Sequence, residues 1–148
     1  MPQSLSSVLV HVVLSIKNRL PMIGRQIEQR LWAYRAQTCT NTRCPHQKVG
    51  GTPGQVHLVS SLGRTVSAST LVEKIKTWSS KWMKAEGVRR LAWQNGYGAF
   101  SMGQSQLDAV IAYVVGQQAH HRRRTLKDEC RAFLNCYKIP YGERYVWD

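Results

Sequence analysis

The chain has 148 residues, 43% of them hydrophobic, which is enough for one compact domain with one core and too little for two. Its 21 Lys and Arg against 8 Asp and Glu give a formal net charge of +13, an excess that repels itself unless a polyanion answers it, so nucleic acid leads as the partner. No basic amphipathic helix stands apart to suit a membrane surface, and the longest apolar run, Val8 to Leu14, is interrupted by His11 and is far shorter than the roughly 20 residues that span a bilayer. Without a basic start or a small-residue cleavage site that run is no signal peptide either, and a cytoplasmic protein is expected.

In chain order, SVLVHVVLSI is rich in β-branched residues and predicts a strand, after which KNRLP turns the chain into a helix from about Ile23 to Gln37. TCTNTRCP reads as a loop. HQKVGG is a short second strand, TPG a turn and QVHLVSSL a third strand, so the two strands form a hairpin. Thr70 and Glu73 have capping-box spacing, and Leu71, Ile75, Trp78 and Trp82 then draw one buried helical stripe, with Lys74, Lys81 and Lys84 on the other face. GYGAFSM is a fourth strand. Ser105 and Asp108 open a third helix with Leu107, Val110, Ile111 and Val114 inward, and a last helix starts near Thr125 and buries Leu126, Cys130, Phe133 and Tyr137.

The order βαββαβ predicts a single α+β domain over residues 1–148. Its expected form is a ferredoxin-like or RRM-like antiparallel sheet, with helices on one face, additional C-terminal helices, and the other face left for a ligand. Four cysteines raise the question of zinc. Cys39 and Cys44 with His46 give C-x4-C-x-H, but Cys130 and Cys136 lie far off at a gap that matches no zinc pattern, so buried free thiols are expected.

Two function classes fit this plan: a single-strand or RNA-binding module, and an enzyme acting on a nucleic-acid backbone. A module of the RRM type stacks bases on aromatics of its central strands, and the second and third strands here carry none. The third strand instead places Gln55 and His57 on one face, close enough to grip one ion together. On the third helix Tyr113 and Gln117 are i and i+4, with His120 continuing the line. A tyrosine of ordinary pKa, about 10, attacks a phosphodiester poorly unless a divalent cation polarises a non-bridging oxygen. Amide oxygens favour Mg²⁺ or Mn²⁺ and imidazole favours Mn²⁺ over Mg²⁺, so Gln55, His57 and Gln117 suggest either ion. The eight carboxylates are scattered and suit no acidic-triad nuclease.

SVLVHVVLSIKNR, VGGTPGQVHLVSSL, LVEKIKTWSSKW, WQNGYGAFS and YVVGQQAHHR together resemble the single-tyrosine HUH transposases of the insertion sequence 200-like group, including those associated with REP sequences, over almost the whole chain. The resemblance implies an RRM-like fold, a homodimer, and single-stranded DNA hairpins as substrates. It also implies strands cut and rejoined through a 5′-phosphotyrosine with a 3′-hydroxyl released. It places the nucleophile on Tyr113, the third metal ligand on Gln117 and the second His of the motif on His57. The first His of the motif falls on Gln55, Gly54 stands where Asp is common, and Gly116 where Asn is common. Gln55 either ligates through its carbonyl oxygen or marks a protein that keeps hairpin binding with weakened or lost cleavage. Lys17 and Arg19 at the end of the first strand, and Arg122, Arg123 and Arg124 after the third helix, are candidates for phosphate contacts.

Overall fold

The structure, a computed structural model, describes residues 4–116. The elements are β1 (Leu9–Ser15), α1 (Arg25–Asn41), β2 (His46–Thr52), β3 (Gln55–Ser61), α2 (Ala68–Ala85), β4 (Gly98–Met102) and α3 (Leu107–Val115). Short 3₁₀ turns at Lys17–Arg19 and Gln104–Gln106 follow β1 and precede α3. The four strands form one sheet in the order β2-β3-β1-β4, antiparallel at every pairing. This is the expected α+β class with the expected order of elements. No helix among the described residues is long and apolar enough to cross a membrane.

Alternation along the central strands sorts the sheet into two faces. Val10, Val12 and Leu14 of β1, with Val56 and Leu58 of β3, meet Leu31 and Cys39 of α1 and Leu71, Ile75 and Met83 of α2 in the main core. The β2–β3 hairpin closes on the pair Thr52 and Gln55, with Pro53 and Gly54 as its two-residue turn. Gly51 makes this possible: at φ +154° a Cβ there would lie 2.2 Å from the Gln55 carbonyl oxygen, so only glycine fits. The turn carbonyls then accept from the Ile23 and Ile16 backbone N–H groups at 2.9 and 3.0 Å, which ties the start of β3 to the end of β1.

Three local readings change. TCTNTRCP is not a loop throughout, because α1 continues to Asn41 and buries Cys39. The threonines turn their hydroxyls back onto helix carbonyls, Thr38 to Tyr34 at 3.0 Å and Thr40 to Ala36 at 3.2 Å, so polar β-branched residues are accommodated in the last turns. The cap of α2 is Ser67, whose Oγ accepts from the Thr70 N–H at 3.1 Å, so Thr70 lies inside the first turn. Leu71 and Ile75 are buried with Val72, Ser79 and Met83, while Trp78 and Trp82 are half-buried at the margin. Trp82 stacks on Tyr34 with ring centroids 5.6 Å apart.

The third departure concerns the far face. α1 and α2 cover one face as expected, but α3 lies across the other, which is therefore partly roofed. Val114 of α3 is buried, with Leu107, Val110 and Ile111 half-buried beside it. Gly50 of β2 admits the helix: a Cβ there would meet Val114 Cγ1 at 3.0 Å and the Val114 carbonyl oxygen at 3.1 Å. The last helix predicted from Thr125, with Cys130 and Cys136, lies outside the described residues.

Candidate active site

Under α3 the sheet buries polar side chains. The strand positions that alternate with the core carry His11 and Ser15 on β1, Gln55 and His57 on β3, and Phe100 on β4, which pairs directly with His11. His11, His57 and Gln55 are 0%, 3% and 5% exposed. They form one hydrogen-bonded chain across two strands: His11 Nε2 to His57 Nδ1 at 2.9 Å, His57 Nε2 to Gln55 Oε1 at 3.0 Å, and Gln55 Nε2 to Ser15 Oγ at 3.2 Å.

The amide fixes the direction of this chain. Gln55 Oε1 can only accept, so His57 Nε2 carries a proton; with neutral rings Nδ1 then accepts, and His11 Nε2 donates to it. Every bond therefore points from β1 through β3 and back to Ser15. Burial pushes the His11 imidazole down to about 4, so it is neutral near pH 7.

Tyr113 of α3 stands edge-on to both imidazoles, its ring centroid 5.8 Å from that of His57 and 6.2 Å from that of His11, with interplanar angles of 74°. The close approach at Gly50 sets this height, since Val114, the next residue, rests directly on β2. On the other side Phe100 lies 6.4 Å from His11 and leans over Gly98, where a Cβ would come within 2.8 Å of its ring.

The structure thus brings together Tyr113, Gln55 and His57 of the residues singled out from sequence. Lys17 is exposed in the 3₁₀ turn just past Ser15, at the same end of β1 as Gln55, and the backbone of Arg19 ends that turn. Gln117, His120, Arg122, Arg123 and Arg124 lie outside the described residues. His11, Ser15 and Phe100 were missed. His11 carried a signal, as a polar residue in phase with Ser15 on a strand otherwise built of aliphatics.

Gln55 Oε1 and His57 Nε2 are neighbouring donor atoms that could serve a divalent cation once Nε2 gives up the proton of the hydrogen bond that joins them at 3.0 Å. An imidazole nitrogen and an amide oxygen suit Mn²⁺ or Mg²⁺. Among the described residues no group of three His, Cys, Asp or Glu side chains could hold a metal, and Cys39 and Cys44 are buried free thiols.

The family model described as "Transposase IS200 like" matches residues 4–117. The chain belongs to this transposase family. Its fold is similar to that of a protein of Deinococcus radiodurans R1 described as a transposase, 15% identical, with 77% of this chain and 93% of that one covered and a TM-score of 0.62. It is also similar to a REP-associated tyrosine transposase bound to a REP hairpin, 13% identical, with 80% and 71% covered and a TM-score of 0.62. At these identities the likeness concerns the fold. A search of curated proteins finds no match.

Proposed function

We propose that this IS200-like transposase cuts and rejoins single-stranded DNA at hairpin-bearing ends through a covalent bond between Tyr113 and a 5′-phosphate. The observation that carries the reading is the placement of the Tyr113 ring against the buried His57, whose Nε2 is bonded to Gln55 Oε1. Membership of the family supports it. The partners in this reading are a DNA hairpin and a second copy of the chain.

In the forward step the Tyr113 oxygen attacks phosphorus, the bond to the 3′-oxygen breaks, and that oxygen leaves with a proton as a 3′-hydroxyl. The 5′-phosphate stays on the tyrosine. Attack of a 3′-hydroxyl on the phosphotyrosine reverses the bookkeeping and reseals a strand. Gln55 and His57, with Gln117, would hold a Mg²⁺ or Mn²⁺ ion, which supplies charge neutralisation at a non-bridging oxygen. The chain itself supplies position: α3 fixes the height of the phenol, the sheet fixes the donors, and burial excludes water from the imidazoles. Lys17, Arg19 and the run Arg122 to Arg124 would meet phosphates flanking the cut.

The test is to incubate the protein with a labelled single-stranded hairpin and Mn²⁺ and look for a covalent adduct. The natural chain forms one, and Tyr113→Phe, which removes only a hydroxyl, abolishes it while hairpin affinity stays within a few fold. An adduct that persists in Tyr113→Phe overturns the assignment. Hairpin binding by the natural chain with no adduct at any Mn²⁺ concentration supports the binding-only reading of Gln55.

A further inference from the structure

We infer that His11 is a positioning residue for His57: through the bond between His11 Nε2 and His57 Nδ1 it sets the orientation of the His57 ring and decides which ring nitrogen faces Gln55. The inference goes beyond the metal pair proposed above and rests on that reading only for its second half, the effect on metal affinity.

The first half follows from geometry. His57 is held from both sides, by Gln55 Oε1 at 3.0 Å on Nε2 and by His11 Nε2 at 2.9 Å on Nδ1. Gln55 is its neighbour two positions along the same strand, whereas His11 reaches it from β1, diagonally across the pairing of His57 with Val13. His11 is wholly buried and its rotation is restricted by Phe100, its direct cross-strand partner, and by Tyr113 over it. A ring so confined can exchange donor for acceptor at Nε2 without moving.

That exchange is what metal loading requires. Without an ion, His57 Nε2 carries the proton given to Gln55, and His11 donates to Nδ1. For His57 Nε2 to offer a lone pair to a cation its proton must leave, and a neutral His57 then carries its proton on Nδ1, which has to donate. His11 Nε2 must therefore become the acceptor. The balance closes on the two rings: the Nε2 proton of His57 is released as the ion enters, the Nε2 proton of His11 passes to His57 Nδ1, and His11 Nδ1 takes up one proton when local opening of the site admits water. Each ring holds one proton before and after. A side chain that only donates, or only accepts, would serve one state and oppose the other. Imidazole serves both, and so does an amide, which presents N–H or C=O by flipping. An acceptor on the outer nitrogen of a metal-ligating imidazole is a general requirement, and its removal typically costs 10–100-fold in affinity.

The experiment compares the natural chain, His11→Leu and His11→Gln, each checked for folding by its thermal transition. Long-range proton–nitrogen correlation spectra report the His57 tautomer without metal, and again with Zn²⁺ as a diamagnetic probe. Mn²⁺ affinity is read from the free-ion electron paramagnetic signal. The natural chain shows His57 protonated on Nε2 without metal and on Nδ1 with it. His11→Leu shows a mixture of tautomers and binds Mn²⁺ about tenfold more weakly, and His11→Gln recovers affinity to within about threefold. A His57 spectrum in His11→Leu identical to that of the natural chain overturns the inference, as does an equal loss of Mn²⁺ affinity in both variants. A natural chain that binds no Mn²⁺ overturns the metal reading of Gln55 and His57, and the metal-free spectra still decide whether His11 orients His57.

Discussion

Both faces of the sheet bury side chains of the central strands, and the two are differently furnished. Toward α1 and α2 the central strands present Val10, Val12, Leu14, Val56 and Leu58, aliphatic side chains whose burial stabilises the fold at little polar cost. Toward α3 the same strands present His11, Ser15, Gln55 and His57, the two imidazoles and the amide no more than 5% exposed, with Phe100, Val59 and Val114 around them. Burying polar groups gains nothing in stability beyond what their mutual hydrogen bonds return. The first face is therefore read as the source of stability and the second as a site whose polar groups are kept for chemistry.

The sharpest way to break the comparison is a pair of neighbours on β3. Leu58→Ala, on the first face, should cost about 2–5 kcal/mol in denaturant melts through the cavity it leaves. The protein that remains folded should form the Tyr113 adduct at a near-natural rate. His57→Ala, one residue away, should cost less stability and lower adduct formation on the order of 100-fold or more. Adduct formation that survives His57→Ala would remove the functional half of the contrast.

Next in size is the joint between the second face and its helix. In Gly50→Ala the added carbon meets Val114 Cγ1 at 3.0 Å and the Val114 carbonyl oxygen at 3.1 Å, so α3 must rise by a few tenths of an ångström. We expect a stability loss of about 1–3 kcal/mol from overpacking. Adduct formation should fall roughly tenfold or more as Tyr113 is displaced, and Mn²⁺ affinity should fall by less, since Gln55 and His57 stay on the sheet and only Gln117 follows α3. Equal losses in cleavage and Mn²⁺ affinity would mean that α3 and the strand pair are not separable parts.

Much of this contrast can be read along the chain, and the limits of that reading are physical. Period two on β3 puts Gln55 and His57 on one face because that signal is local, whereas the i, i+4 reading of Tyr113 with Gln117 runs past the end of α3 at Val115 to a residue outside the described ones. His11 is not legible as a site residue in the same way: its bond to His57 spans 46 positions and exists only because β1 lies between β3 and β4. The side of the sheet taken by α3 depends on a long-range approach at Gly50, which as a bare glycine in a strand carries no address. The extra turns of α1 depend on Thr38 and Thr40 choosing helix carbonyls over the turn geometry their composition suggests.

Within the second face, Gln55→His should sharpen the reading. An amide oxygen is a weaker donor to Mn²⁺ than an imidazole nitrogen, so the substitution should shift the Mn²⁺ concentration needed for cleavage downward by about tenfold. The loss of the Gln55 bond to Ser15 works against this gain and should appear as a small fall in stability, about 1 kcal/mol, since that bond is a single neutral one. A Mn²⁺ titration unmoved by Gln55→His, alongside a dead His57→Ala, would show that Gln55 is no ligand.

The smallest expected effect lies on the first face, at its one large polar exception. Arg35 of α1 is 1% exposed, its guanidinium stacked 4.6 Å over the Trp93 ring, with Nη2 donating to Ser79 Oγ at 3.4 Å. Among the described residues Nε and Nη1 have no hydrogen-bond partner and no carboxylate pairs with the charge. Burial pushes its pKa down to about 9, the mark of a cation that desolvation disfavours. Arg35→Met keeps a long flexible side chain against the indole, where a thioether packs well, and removes the charge. The lost cation–π contact, worth about 0.5–2 kcal/mol, and the relief of an under-bonded buried charge act in opposite directions. The net change should be within about 1 kcal/mol of zero, with Mn²⁺ affinity and adduct formation untouched. If polar groups on the first face are incidental to chemistry while those on the second are not, Arg35→Met must leave cleavage intact where His57→Ala does not. A cleavage defect in Arg35→Met at natural stability would show that the division between the faces is drawn in the wrong place.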